Sequence, residues 1–396
     1  MVPKADRLKD IEFSKIRLLN QKVEELQAEG REMCTFTIGQ PDFPTPQYIK
    51  DACTKALNDG FTGYGSYTGS LNFRQAVVDK YKRENGLEFS PDQVIASNGA
   101  AQAAYLVLTT FINPGDEIIL PNPMYNIYDN IGKICGANIK HYSLKEENEF
   151  QIDIEELRSL VTDKTKMIVI CSPNNPIGGI LTKETLEGVA DVVKDKNLLI
   201  CSDEIYERLT FDGETAPSPA LIPSLRDKTI IINGFSKAFS MTGWRIGYVI
   251  APLCYMEPLT LHSGFQISGI ATYNAEAAAA ALNDDAKYHT VDAMRAEFEK
   301  RRNYFVSEIN KTAHFSCLKP KGAFYIFMNI KKTGMTSNEF VDWLVENYGV
   351  AVVNGAVFGS EGEGFVRISY ASSMEQIKKG CELLHEADKA LTEMGR

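Results

Sequence analysis

Lys237 lies in the stretch Ser236-Lys237-Ala238-Phe239-Ser240-Met241-Thr242-Gly243-Trp244-Arg245, just after the apolar run Ile230-Ile231-Ile232 and Gly234. A run of this kind reads as a buried strand that stops at a glycine. The end of a buried strand is an odd place for a solubilising charge. An amine partly withdrawn from water loses proton affinity and becomes a nucleophile toward carbonyls. Arg245, eight residues on, is a permanent cation suited to a phosphate. A second apolar run, 198–201, ends in Ser202-Asp203-Glu204-Ile205-Tyr206. A carboxylate placed there is costly without a partner. Capping the following turn and pairing with a protonated ring nitrogen are equal readings of Asp203 on its own. Arg367, in Gly364-Phe365-Val366-Arg367-Ile368-Ser369, has the alternation of an inward-facing strand residue. A buried guanidinium requires a carboxylate or an equivalent, either from a ligand or from a structural ion pair.

The elements that must position these groups follow from periodicity. Strands are expected at 94–97, 117–120, 167–171, 198–201, 230–232 and 246–250, with helical patterns between them. That alternation is α/β: a mainly parallel sheet with helices on both faces. The segments 98–101, Asn175, 203–206 and 236–237 all fall just after strands. In open α/β sheets that edge is where ligands bind. Before the sheet, 7–29 reads as one amphipathic helix and 33–37 as a short strand. Beyond it, helices are expected over 253–283 and a long charged one over 287–311. An α+β part follows, with strands at 314–318, 323–328, 350–353 and 365–369 and helices at 336–347 and 374–392. The expected division is a large unit, 46–290, and a smaller α+β unit built from 1–45 and 291–396.

The pattern Ser-Lys-x3-Met-x-Gly-x-Arg resembles the Schiff-base lysine region of class I, fold-type I aminotransferases that use pyridoxal 5'-phosphate. Further motifs match the same family in order along nearly the whole chain. The segment Gly39-Gln40-Pro41-Asp42 resembles the family's crossing beside the substrate. The turn Asn98-Gly99-Ala100-Ala101 resembles its phosphate cradle, where small residues at a helix start let N–H groups approach an anion. Tyr125 matches the position that stacks on the cofactor ring, where aspartate-specific members are expected to carry Trp. Asn174-Asn175-Pro176-Ile177-Gly178 resembles Asn-x-Pro-x-Gly, with Ile177 where Thr is usual. Asp203 precedes Lys237 by 34 residues, as in the family.

The resemblance implies catalytic roles for Lys237, Asp203 and Tyr206. It implies cofactor contacts from Gly99, Ala100, Ala101, Tyr125, Asn175, Ser236 and Arg245, and from Tyr64 of a neighbouring subunit. It implies substrate contacts from Gly39, Asn175 and Arg367. The partners it implies are an L-amino acid, a 2-oxo acid and a second copy of the chain in a homodimer with shared sites. The expected activity is amino transfer of aspartate-like or broad specificity, and a carbon–sulfur β-lyase of the same fold is the alternative. Segments around Ile16, Gly39, Tyr125 and 262–268 are expected to shape the side-chain pocket.

Composition sets the outer bounds. The 396 residues are 44% hydrophobic and 24% charged, ordinary for a globular protein with a large core. The net charge of −10 disfavours a nucleic-acid partner, which needs a basic face. The charged start 1–7 lacks an apolar signal-like run, and no stretch is long enough to span a bilayer, so the expected location is cytoplasmic. The glycine fingerprint of dinucleotide binding does not occur. Eight cysteines without a Cys-x-x-Cys pair read as buried, reduced thiols, with no metal site.

Overall fold

The computed structural model describes residues 2–11 and 15–395. Its centre is a seven-stranded sheet in the order Val94–Ser97, Gly247–Ile250, Thr229–Gly234, Leu199–Asp203, Thr165–Cys171, Glu117–Asn122, Asn138–Ser143. Gly247–Ile250 is antiparallel to both its neighbours, and every other pairing among the remaining strands is parallel. Six strands therefore run one way and one runs back.

These runs are continuously apolar because both sheet faces are covered. Alternate residues go to opposite sides. Ile95, Val249, Ile230, Ile232, Cys201 and Val169 enter one cluster with the helix Ala100–Phe111. On the other face, Val94, Ile231, Tyr248 and Ile250 join the helix Thr272–Tyr288, while Ile119, Ile168, Ile170 and Ile200 join Lys183–Val193.

A second body of structure packs beside this sheet. Tyr325–Asn329, Phe365–Ser369 and Val353–Asn354 form a three-stranded antiparallel sheet, and Cys34–Thr35 pairs in parallel with Val350–Ala351. Its core draws on Val23, Cys34 and Phe36 from the start of the chain and on residues from Met294 to Leu391. The long helix Thr290–Ile309 supplies Met294, Phe298 and Phe305. Phe327 and Phe365 stack, with centroids 4.7 Å apart, and reach into the large sheet's cluster. Arg302 is fully buried, bonded to Asp212 and to the Pro320 carbonyl.

Several expected boundaries change. In place of one helix over 7–29 there is a short 3₁₀ turn, Asp6–Leu8, and a helix, Lys15–Ala28; residues 12–14 lie outside the described residues. The helices expected over 253–283 are Leu253–Ile267 and Thr272–Tyr288, the second running on past 283, divided where Ser268 and Gly269 take positive φ. The expected strand 314–318 is only a single bridge, Ser316 to Asn329. All eight cysteines are free, and five are buried, but Cys254 is exposed at the start of a helix. No described helix is long and apolar enough to cross a membrane.

Candidate active site

The register of the sheet brings the candidate groups to one edge. Asp203 ends its strand opposite Cys171 on one side and Ile232 on the other. Gly234 ends the next strand opposite Gly247, which also faces Ser97. The turns carrying 98–101, Asn175, Asp203, Ser236 and Lys237 thus leave the same edge. Arg245 enters there just ahead of the reversed strand. A Cβ on Gly247 would lie 2.9 Å from the Ala100 nitrogen, so the backbones touch where the phosphate-type turn is built.

Lys237 Nζ donates to the Gly39 carbonyl at 2.6 Å. The side chain retains some solvent access, yet burial dominates its ionisation. Desolvation first, then the cations Arg367 and Arg245, pull its pKa down to about 8, against the attraction of Asp203. The amine also lies 5.8 Å from the Tyr206 ring and 5.9 Å from that of Phe324. Asp203 accepts from Tyr128 Oη at 2.7 Å and from the Ile205 amide at 3.2 Å. Burial nevertheless raises its pKa above the usual carboxylate value. A carboxylate in this setting gains from a cationic partner.

The phosphate-type turn has a cation at its mouth. Gly99, at φ +82°, precedes the helix Ala100–Phe111, whose first N–H groups have no intrahelical acceptor. Arg245 donates to the Asn98 carbonyl at 3.3 Å and to that of Thr242 at 2.8 Å. A side chain at Gly99 would come within 2.5 Å of the guanidinium. Arg245 is exposed and takes a left-handed φ of +53°, a conformation that costs a non-glycine residue about 1 kcal/mol. Ser236 is buried directly before the lysine.

Arg367 is buried between two rings, with its Cζ 4.5 Å from the centroid of Tyr325 and 5.0 Å from that of Phe358. Nη1 donates to Asn175 Oδ1 at 3.0 Å and Nη2 to the Thr37 carbonyl at 2.6 Å, while Nε has no partner. No carboxylate of the chain is hydrogen-bonded or paired to it among the described residues. The structural ion pair is therefore not what holds this arginine. Tyr206 Oη meets Tyr325 Oη at 2.9 Å. A Cβ on Gly39 would lie 2.5 Å from Tyr325 Oη, so the crossing segment passes close because it has no side chain there. Tyr125 is 44% exposed.

Hydrogen bonds thus join Lys237 to Gly39 and Asn175 to Arg367, Tyr206 reaches the same cluster through Tyr325, and Asp203, Ser236, Arg245 and 99–101 leave the same sheet edge beside them. Tyr64 is not part of this group. It stands 99% exposed, and among the described residues no hydrogen bond or ring contact ties it to Lys237, Asp203 or Arg245. Sequence reasoning missed Tyr128, Tyr325, Phe358 and the Thr37 carbonyl. Tyr128 had a signal, since it lies in the same stretch, 121–128, as Tyr125. Tyr325 sits in an apolar strand like any core aromatic, and a backbone carbonyl leaves no trace in residue type.

The family described as aminotransferase class I and II matches residues 31–384. This chain belongs to it. The family depends on pyridoxal phosphate, and the aminotransferase described here exchanges amino groups between amino acids and 2-oxo acids. It is 38% identical over 386 residues to aromatic-amino-acid aminotransferase 2 of Thermococcus litoralis, covering 97% of this chain and 98% of that one. It is likewise 38% identical to an aspartate aminotransferase of Pyrococcus abyssi, covering 98% and 99%. The crystal structure of an aromatic aminotransferase from Pyrococcus horikoshii OT3 superposes with a TM-score of 0.88 at 37% identity, over 93% and 99% of the two chains. None of these relatives is named as a lyase.

Proposed function

We propose that this aminotransferase binds pyridoxal 5'-phosphate at the sheet edge and transfers amino groups with Lys237 as attachment point and proton carrier. The observation that carries the reading is the Lys237 amine, hydrogen-bonded to the Gly39 carbonyl and with its pKa drawn down to about 8 by burial and by the cations Arg367 and Arg245. The residues fit the cofactor. An exposed arginine beside free helix-start amides suits a phosphate. A half-buried carboxylate with no ion pair among the described residues suits a protonated ring nitrogen. A guanidinium with an orphan Nε suits a substrate carboxylate.

In this reading Arg245, Ser236 and the 99–101 turn hold the phosphate, and Tyr125 covers the ring. Asp203, fixed by Tyr128, keeps a proton on the ring nitrogen. Asn175 and Tyr206 donate toward the ring oxygen. When bound, the cofactor acts as an electron sink for the substrate's α-carbon. Arg367, packed against the rings of Tyr325 and Phe358, orients the α-carboxylate with Asn175 and the Gly39 segment. The Lys237 amine, with its pKa near 8, removes the α-proton as base and returns it as acid, a match to neutral pH that favours both transfers.

The substrates are an L-amino acid and a 2-oxo acid, with aspartate-like or broad specificity, as the names of the relatives suggest. A cavity of about 430 Å³ lined by Ile16, Met124, Asn126 and Phe358 lies alongside, and Lys15, Lys133 and His141 give it a mixed polar wall. Exposed Tyr64, Tyr67, Leu261 and Phe265 favour a second copy of the chain, to which Tyr64 would reach across. The large unit 46–290 and the smaller unit 1–45 with 291–396 are the proposed domains, and the proposed location is cytoplasmic. The deciding experiment is a half-reaction screen of the loaded protein against single amino acids. Loss of the cofactor's visible band with release of the matching 2-oxo acid is expected. Release of pyruvate and ammonia from cysteine-type substrates would overturn it in favour of the lyase.

A further inference from the structure

A one-directional chain of hydrogen bonds runs from the helix Leu253–Ile267 to the phosphate-type turn. Thr110 Oγ donates to the Leu106 carbonyl at 2.6 Å, so toward His262 Nδ1, 2.9 Å away, it can only accept. Nδ1 therefore carries the imidazole hydrogen, and Nε2 is an acceptor. Gln266 Nε2 donates to it at 2.9 Å. The second hydrogen of that amide faces Thr109 Oγ at 3.5 Å, whose hydroxyl is given to the Tyr105 carbonyl. Gln266 Oε1 accepts from Gln102 Nε2 at 2.8 Å, and Gln102 Oε1 accepts from the Asn98 amide at 3.2 Å. Arg245 holds the carbonyl of the same residue.

We infer that His262 is a positioning residue for the phosphate turn, fixing the Asn98 amide through Gln266 and Gln102 only while its ring is neutral. The inference rests on the reading of 98–101 as the phosphate site. A proton on Nε2 would set a donor against the Gln266 donor. Turning over that amide moves the conflict to Gln102, and turning Gln102 moves it to the Asn98 N–H. One link must break wherever the mismatch settles. Burial already lowers the His262 pKa below its ordinary value, so the chain is intact at neutral pH. The titratable groups on the elements packed here are Cys254, Tyr255 and Glu257 on its own helix, Tyr105 on Ala100–Phe111, Asp92 in the turn Pro91–Gln93, and Tyr67, whose ring lies against Gly264. None is hydrogen-bonded or paired to the imidazole.

The test compares the full-length apoprotein with its Gln102→Leu variant. Affinities for pyridoxal phosphate and for pyridoxal are measured from about pH 5.5 to 8.5, the range in which a histidine titrates. The phosphate's own titration and the attraction of a charged His262 act on both proteins alike, so their difference isolates the chain. At high pH the wild type should bind pyridoxal phosphate about five-fold more tightly than the variant, the worth of one hydrogen bond. That advantage should vanish as pH falls through the His262 pKa, and pyridoxal should show none of it. Nitrogen NMR of the wild type should find hydrogen on Nδ1 above that pH. A pH-independent difference between the proteins, or hydrogen on Nε2, would overturn the inference. Failure of pyridoxal phosphate to bind at any pH would instead overturn the phosphate site on which it rests.

Discussion

Tyr128 Oη donates to Asp203 Oδ2 at 2.7 Å, and among the described residues this is the one side-chain hydrogen bond on a carboxylate that burial otherwise pushes toward protonation. Because Tyr128 lowers the Asp203 pKa, Tyr128→Phe should raise it further. The acid limb of the pH–rate profile should then move to higher pH, and kcat should fall about five- to ten-fold with KM little changed. Asp203→Asn should retain the cofactor but lose orders of magnitude in turnover. Steady-state kinetics across pH measures both. An unmoved acid limb in Tyr128→Phe would detach that tyrosine from the role.

Lys237→Ala should abolish transamination and covalent capture of the cofactor. Borohydride reduction followed by peptide mass spectrometry reads the capture directly. A reduced adduct on Lys237 is expected in the wild type, and none in the variant. An adduct on another lysine would move the attachment point.

The Lys237 pKa of about 8 makes the cofactor-free protein's stability depend on pH. The unfolded chain holds this proton up to about pH 10.4 and the folded one releases it near 8, so between those values the unfolded state binds more protons. Stability from this group therefore rises with pH across that window and is least below 8. Urea unfolding of apoprotein at several pH values should show that slope in the wild type and a smaller one in Lys237→Met.

Arg367→Lys keeps a charge but loses the flat guanidinium between Tyr325 and Phe358 and at least one of its hydrogen bonds. KM for the amino acid should rise about 10- to 100-fold, the range for hydrogen bonds to a charged group. Cofactor affinity, read by absorbance titration, should stay within about two-fold, since Arg367 faces the substrate.

Arg302 is buried against Phe211 and paired with Asp212, whose pKa it draws down to about 2. Arg302→Met should cost about 2 kcal/mol or more, measured by urea unfolding. The contribution of the pair is fully present above the ordinary aspartate pKa. It is lost as pH falls through about 2, so the acid side of the stability curve should be shallower in the variant.

The sheet was readable in the sequence because its strands are covered on both faces. Runs such as 230–232 and 198–201 have no helical period, and their strands end two residues beyond, at Gly234 and Asp203. Lys237, Asp203 and Arg367 were readable for a related reason, since each is a charge where burial forbids an idle one. The N-terminal helix was read as longer than it is because 7–29 is amphipathic throughout, and periodicity does not register the turn at Lys9 and Asp10. The strand expected at 314–318 failed because Ser316 finds only one bridging partner. Tyr325 was invisible for the opposite reason to Lys237. A tyrosine in an apolar strand is ordinary, and only the approach of Gly39 and Tyr206 shows that its hydroxyl is in use.

The bond from Lys237 to the Gly39 carbonyl ties the sheet edge to the segment that leads from the first residues of the chain. An amine has a limited number of hydrogens, and one committed to covalent work gives up its hold on that oxygen. The Gly39 carbonyl is thereby a spectator that changes state whenever the lysine is engaged. An isotope-labelled carbonyl at that glycine would report occupancy in the infrared without any substrate present.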